Sequence, residues 1–141
     1  MPKVNTKRHL AFPVEMVWDA ITDRDQLAEW LMPNDFQLEL GHRFTFTTKP
    51  APGFDGTVHS EVLAIEPNRR LVLAWRAGAL DTTVEFVLSS VDGGTILELL
   101  HEGFKLGEFI PYFILGQGWK SLLKRKLPNV LASNSQICSA A

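Results

Sequence analysis

His101 is the residue whose type and setting most invite chemistry. Leu97, Leu99 and His101 alternate with Glu98, Leu100 and Glu102, which places an imidazole on an otherwise apolar strand face. Three roles fit such a ring: a neutral histidine hydrogen-bonded inside the fold, a polar handle that orients a ligand, or a general acid/base. His59 lies on a long strand and either shares the interior or faces solvent, while His9 and His42 read as superficial. The four histidines show no ligand spacing such as H-x-x-x-H, and Cys138 stands alone, so neither a metal nor a cofactor is expected.

The remaining reactive types assemble into nothing stronger. Ser60, Ser89, Ser90 and Ser121 have no nucleophile elbow around them. Asp23 and Asp25 stand near a helix start, where carboxylates cap and complement the helix dipole. Glu98 and Glu102 alternate outward, opposite the apolar face, so solvation is their expected role. The string GQGWKS (116–121) fails as a phosphate loop, because Trp119 separates the glycine from the lysine and its neighbours are helical. No catalytic constellation emerges.

Composition bounds the setting. The 141 residues suit one domain, with a core large enough to stand without disulfides. A net charge of −2 lacks the basic footprint of a nucleic-acid binder. The N-terminal stretch carries charges and no apolar core of a signal peptide, and no apolar run approaches the ~18 residues a membrane span needs. A lone cysteine fits a reducing compartment. The expectation is a cytoplasmic protein that neither inserts into membranes nor binds nucleic acid.

Residues 7–12 read as a strand ended by Pro13. Val14, Val17, Trp18 and Ile21 have helical spacing, and Thr22 or Asp23 can cap a second short helix through Leu27, Trp30 and Leu31. From Phe36 to Phe104 the period is two, with six strands expected: 36–40, 43–47, 56–66, 71–76, 84–88 and 97–102. Turn residues Gly41–His42, Pro67–Asn68 and Asp92–Gly93–Gly94 join them into an antiparallel meander. Trp119, Leu122, Leu123, Leu127, Val130 and Leu131 then form one helical stripe, and Lys120, Lys124, Arg125 and Lys126 the other side. The basic run Lys124–Lys126 is most simply a solvated face, docking of an acidic partner being the alternative. Pro128 should kink or end this helix unless the carbonyl it frees finds another partner. Residues 133–141 read as a flexible tail after a single domain over 1–132. The expected fold is α+β: a curved seven-stranded antiparallel sheet around a long C-terminal helix, with a space between them for a ligand.

The segments PVEMVWDAITDRDQLAEWLMP (13–33), VLAIEPNRRLVLAW (62–75), GGTILELLHEGF (93–104) and GWKSLL (118–123) resemble, in order, the activator of heat-shock-protein-90 ATPase homologue family. That family belongs to the START-related, birch-pollen-allergen-like SRPBCC superfamily. The resemblance implies a helix-grip fold of β-α-α-β6-α order and a cavity between sheet and helix. Two departures stand out. The family's tryptophan pair is Trp30–Leu31 here, and the approach to its GW motif, usually polar, reads EFIPYFILGQGW (108–119).

Three classes of function remain open. The leading one is binding of a small hydrophobic molecule, aromatic or lipid-like, in a cavity walled by Trp30, Phe44, Phe46, Trp75, Phe86, Leu99, Phe113 and Trp119, with His101 as polar orienter. Plain core packing is the alternative for Trp30, Trp75 and Trp119, as for Trp18. The second, implied by the resemblance alone, is stimulation of the 90-kDa heat-shock protein ATPase. The third, also implied by it, is a cyclase-like enzyme using the same cavity, for which His101 and His59 are the interior acid/base candidates. A homodimer through the apolar stretch 109–115 is a further reading.

Overall fold

A proline at position 13 has no N–H to lose at a helix start, and its carbonyl accepts from the Met16 and Val17 amides at 3.0 and 3.2 Å. In the computed structural model it opens α1 (Val14–Thr22), which buries Val17, Trp18, Ala20 and Ile21. Asp23 caps α2 (Arg24–Trp30) by accepting from the Gln26 amide at 3.1 Å. Thr22, the other capping candidate, instead turns its hydroxyl back onto the Trp18 carbonyl. The structure describes residues 3–50, 55–78, 80–104 and 117–140, with the side chains of the last stretch described through 133.

The strands are β1 (Val4–Leu10), β2 (Arg43–Thr47), β3 (Thr57–Glu66), β4 (Arg70–Ala77), β5 (Leu80–Val91) and β6 (Gly94–Glu102). They form one antiparallel sheet in the order β1-β6-β5-β4-β3-β2. Paired residues share a face, so the register lays inward side chains in rows across the sheet. One row runs Phe44, Ser60, Trp75, Thr82; the next runs Val62, Leu73, Val84, His101, Val4; a third runs Ile65, Leu71, Phe86, Leu99, Thr6. The parity on β3 changes between Val62 and Ile65 because the register slips between Val62 and Ala64, so that Ile65 in place of Ala64 faces inward.

The expected strand at 36–40 does not form, so the described residues hold six strands rather than seven, in the order β-α-α-β5-α. Local side chains explain it. Asn34 accepts from the Phe36 amide, and Asp35 accepts from the Thr45 amide at 2.7 Å. The Glu39 and His42 amides donate into the same loop, so the backbone is satisfied by turns rather than by a ladder. Its alternating pattern also has little to bury: Phe36 is enclosed, but Leu38 and Leu40 are exposed.

The C-terminal helix begins at 117–121, widens into a π-helical stretch over Leu122–Lys126, and continues as α3 (Leu127–Ala140). It does not end at Pro128. In the stretch before the proline the Leu127 amide reaches the Leu122 carbonyl, five residues back. Such a widening is one way a helix accommodates a residue that lacks a donor and crowds the preceding turn. A π turn also holds more residues than an α turn, which keeps Trp119, Leu123, Leu127 and Leu131 closer to one line; all four are buried. The helix packs on α1 and α2, and α1 packs on β5 and β6. No helix among the described residues is long and apolar enough to cross a membrane.

The turn between β5 and β6 passes close against the end of β1. Gly94 has φ +148, and a Cβ there would sit 2.0 Å from the Leu10 carbonyl oxygen; Gly93, at φ +80, has open space around it. Gly94→Ala is therefore expected to cost at least about 2 kcal/mol in urea unfolding, and Gly93→Asn less than about 1 kcal/mol. Equal losses at the two positions would contradict the contact.

Candidate functional site

The inward rows place aromatic side chains from three strands, β2, β4 and β5, against rings of the helices. Their rings touch in an unbroken arc. Phe36 meets Phe44 at 5.1 Å between centroids, Phe44 meets Phe46 at 5.2 Å, and Phe46 meets Trp75 at 5.4 Å. Trp75 meets Trp119 of the helix at 5.4 Å, Trp119 meets Phe86 at 6.1 Å, and Phe86 meets Trp30 of α2 at 6.4 Å. Most contacts are edge-on or tilted, the arrangement that ring quadrupoles favour. Trp30 is held by its indole N–H, which donates to the Ala20 carbonyl at 2.7 Å and so ties α2 to α1.

His101 lies beside the middle of this arc, fully buried, with Trp75, Phe104 and Trp119 around its ring. The Trp119 indole N–H donates to His101 Nδ1 at 2.9 Å. Nδ1 must therefore be the acceptor, and the ring proton sits on Nε2. That proton is donated to Thr82 Oγ1, 2.7 Å away, and the Thr82 hydroxyl donates in turn to the Trp75 carbonyl at 2.8 Å. Donors and acceptors match at every step, which settles one tautomer of a neutral imidazole. Burial pushes its pKa down to about 4. A second proton on Nδ1 would face the Trp119 N–H, donor against donor.

All the candidate side chains within the described residues converge here: Trp30, Phe44, Phe46, Trp75, Phe86, Leu99, His101 and Trp119 are each at most 3% exposed. Phe113 and the stretch 109–115 lie outside the described residues. Both nitrogens of His101 are engaged, so the ring is a neutral hydrogen-bonded residue and offers no free base. His59 takes the solvent side of β3, and His9 is exposed. His42 is half-buried, with Nε2 3.3 Å from the Asp35 carbonyl oxygen and its ring stacked on Phe44. Among the described residues no three of His, Cys, Asp and Glu converge. A separate open hollow of about 300 Å³ lies at the far end of the β5–β6 hairpin, lined by Phe12, Pro13, Val91 and Gly94 among others.

Sequence reasoning passed over Phe36, Phe104, Thr82 and Ser60 as members of this site. The period-two pattern carries a signal for two of them, since Ser60 has the parity of Val58 and Val62, and Thr82 that of Val84 and Phe86. Ser60 is 4% exposed, and its hydroxyl has no hydrogen-bond partner among the described residues.

The His101 pKa fixes a pH dependence. Its folded value, about 4, lies below the ordinary value of 6.5, so between these the unfolded chain binds the proton and the folded chain does not. The contribution is complete above about pH 6.5 and is lost as pH falls towards 4, on the order of 3 kcal/mol in all. Trp119→Phe keeps an aromatic ring but removes the donor to Nδ1, and should lower stability at pH 7 by about 1–2 kcal/mol; because Nδ1 can then take a proton without opposing a donor, the further loss between pH 7 and 4.5 should be smaller than in the wild type. Urea midpoints at pH 7, 5.5 and 4.5 for both proteins check this; superimposable pH curves would refute the assignment.

Comparison with known proteins accords with this architecture. The profile described as "Activator of Hsp90 ATPase homolog 1-like protein" matches residues 11–132. Protein MLL2253 from Mesorhizobium loti is 31% identical, with a TM-score of 0.87 over 94% of this chain and 98% of that one. Protein BH1534 from Bacillus halodurans is 24% identical and shares the fold, with a TM-score of 0.80 over 93% of this chain and 97% of that one. DynU16, from the dynemicin biosynthetic locus, is 23% identical with a TM-score of 0.77; the match covers 94% of this chain and 48% of that one. No curated protein matches the sequence. With a profile spanning most of its length and the SRPBCC-type sheet and helix in place, the chain belongs to the family of Activator of Hsp90 ATPase homolog 1-like proteins.

Proposed function

We propose that the protein binds a small hydrophobic molecule, aromatic or lipid-like, between the inner face of the sheet and the C-terminal helix. The observation that carries this reading is the continuous arc of rings from Phe36 to Trp30, drawn from two helices, three strands and the loop before β2. Rings in edge-on and tilted contact present both faces and edges to a flat guest, and they give up one another's contacts for equivalent ones with it. The surroundings favour binding over turnover. The one interior imidazole is neutral, its two nitrogens are committed to Trp119 and Thr82, and no charged side chain belongs to the arc.

The helix is the element that has to yield for a guest to enter. Trp119 joins it to the sheet through ring contacts and one hydrogen bond to His101, and the π-helical stretch follows three residues later. Interrupted helical turns of this kind recur at functional sites.

Native mass spectrometry of the freshly purified protein, followed by a thermal-shift screen of flavonoid-like compounds, polyketides and fatty acids, tests the reading. A co-purified small molecule, or a Tm rise of several degrees at ligand concentrations of about 100 Kd, is expected. No bound mass together with no shift from any of the three classes would overturn it.

A further inference from the structure

Ser60 is the one fully buried residue of the inner face whose polar atom has no hydrogen-bond partner among the described residues. Four polar side chains are fully buried among the described residues: Ser60, Thr82, Thr95 and His101. Thr82 and His101 bond each other, and Thr95 donates to the Phe12 carbonyl at 2.8 Å. Ser60 has no hydrogen-bond partner among the described residues. A hydroxyl taken out of water without a partner forfeits its hydration, so alanine at this position would be the less costly residue for folding alone. Thr6 Oγ1 and Arg8 Nε are also unpartnered, but they belong to half-buried side chains on the edge strand β1, four strands away.

The position of Ser60 says what the missing partner looks like. Its neighbours in register are Phe44 on β2 and Trp75 on β4, and Phe46 touches both of those rings. The residue thus lies on the inner face between two members of the aromatic arc. An ordered water needs two to four polar partners, and these rings offer carbon faces. A serine hydroxyl both donates and accepts, so a carbonyl or a phenolic hydroxyl satisfies it equally. A carboxylate does not suit the place, because no cation stands in the arc to compensate a buried charge.

We infer that Ser60 is the hydrogen-bonding contact for a neutral, ring-bearing ligand that carries an oxygen substituent, a phenol or an aryl ketone. The ring lies among Phe44, Phe46 and Trp75, and the substituent meets Ser60 Oγ. This inference rests on the binding function proposed above and adds to it the class of ligand and the residue that selects it.

The test compares 2-naphthol with 2-methylnaphthalene, equal in shape and differing in the hydrogen-bonding group, by titration against the wild-type protein and Ser60→Ala. The ratio of the two affinities is expected to fall about tenfold in the variant, through weaker naphthol binding, with 2-methylnaphthalene unaffected. Ser60→Ala without ligand should melt at or above the wild-type temperature, since no hydrogen bond is lost. An unchanged affinity ratio, or a lower Tm for the free variant, overturns the assignment while ligand binding stands. If neither probe binds but the wider screen finds another class, the aryl assignment fails alone; if the screen is silent as well, both fall.

Discussion

One chain of hydrogen bonds decides how the helix sits on the sheet. Trp119 donates to His101, His101 to Thr82, and Thr82 to the Trp75 carbonyl, so a side chain of the C-terminal helix is linked through β6 and β5 to the backbone of β4. Each group has one way to satisfy its neighbour, and a shift of the helix along the sheet would leave buried donors unmatched. Hydrophobic burial along Leu123, Leu127 and Leu131 supplies attraction without direction. The polar chain supplies the direction, and buried networks of this kind specify one arrangement when every member is paired.

Around that anchor the interior divides by chemistry. The row of Trp75 and Thr82 also holds Phe44, with Phe46 in contact with Phe44 and Trp75 and Trp119 of the helix in contact with Trp75, while the rows on the far side of His101 hold mainly aliphatic Leu71, Leu97 and Leu99. Aliphatic rows interlock closely and leave little to a guest. Rings present larger flat faces, and Ser60 stands among them. The end of the sheet that carries Thr82 and Trp75 is thus the aromatic end of the interior, and the one to which the proposed binding function is assigned.

Much of this frame is legible in the order of residues. Pro13 and the spacing of Val14, Val17, Trp18 and Ile21 mark α1, and Pro67–Asn68 and Asp92–Gly93–Gly94 mark two hairpins that form where expected. Alternation correctly puts Phe44, Phe46, Trp75, Phe86, Leu99 and His101 on one face. What alternation lacks is the identity of neighbours from distant segments. Thr82 and Trp119 lie nineteen and eighteen residues from His101, and only the folded chain shows that both reach it. The missing strand at 36–40 has the opposite cause: Asn34 and Asp35 capture backbone groups locally, an option that a pattern of apolar and polar letters does not encode. The passage of the helix through Pro128 likewise depends on a widened turn that no spacing rule anticipates.

The placement of β1 beside β6 has a kinetic consequence. Val4 pairs with His101, so the first strand made must wait about a hundred residues for its partner, whereas the other neighbouring strands lie close together along the chain. Pairing across such a separation carries the largest loop-closure cost in the sheet, and it is recovered only once β2 to β6 have assembled as a template. The β1–β6 pairing is therefore the seam of the sheet, the one whose closure costs the most chain entropy.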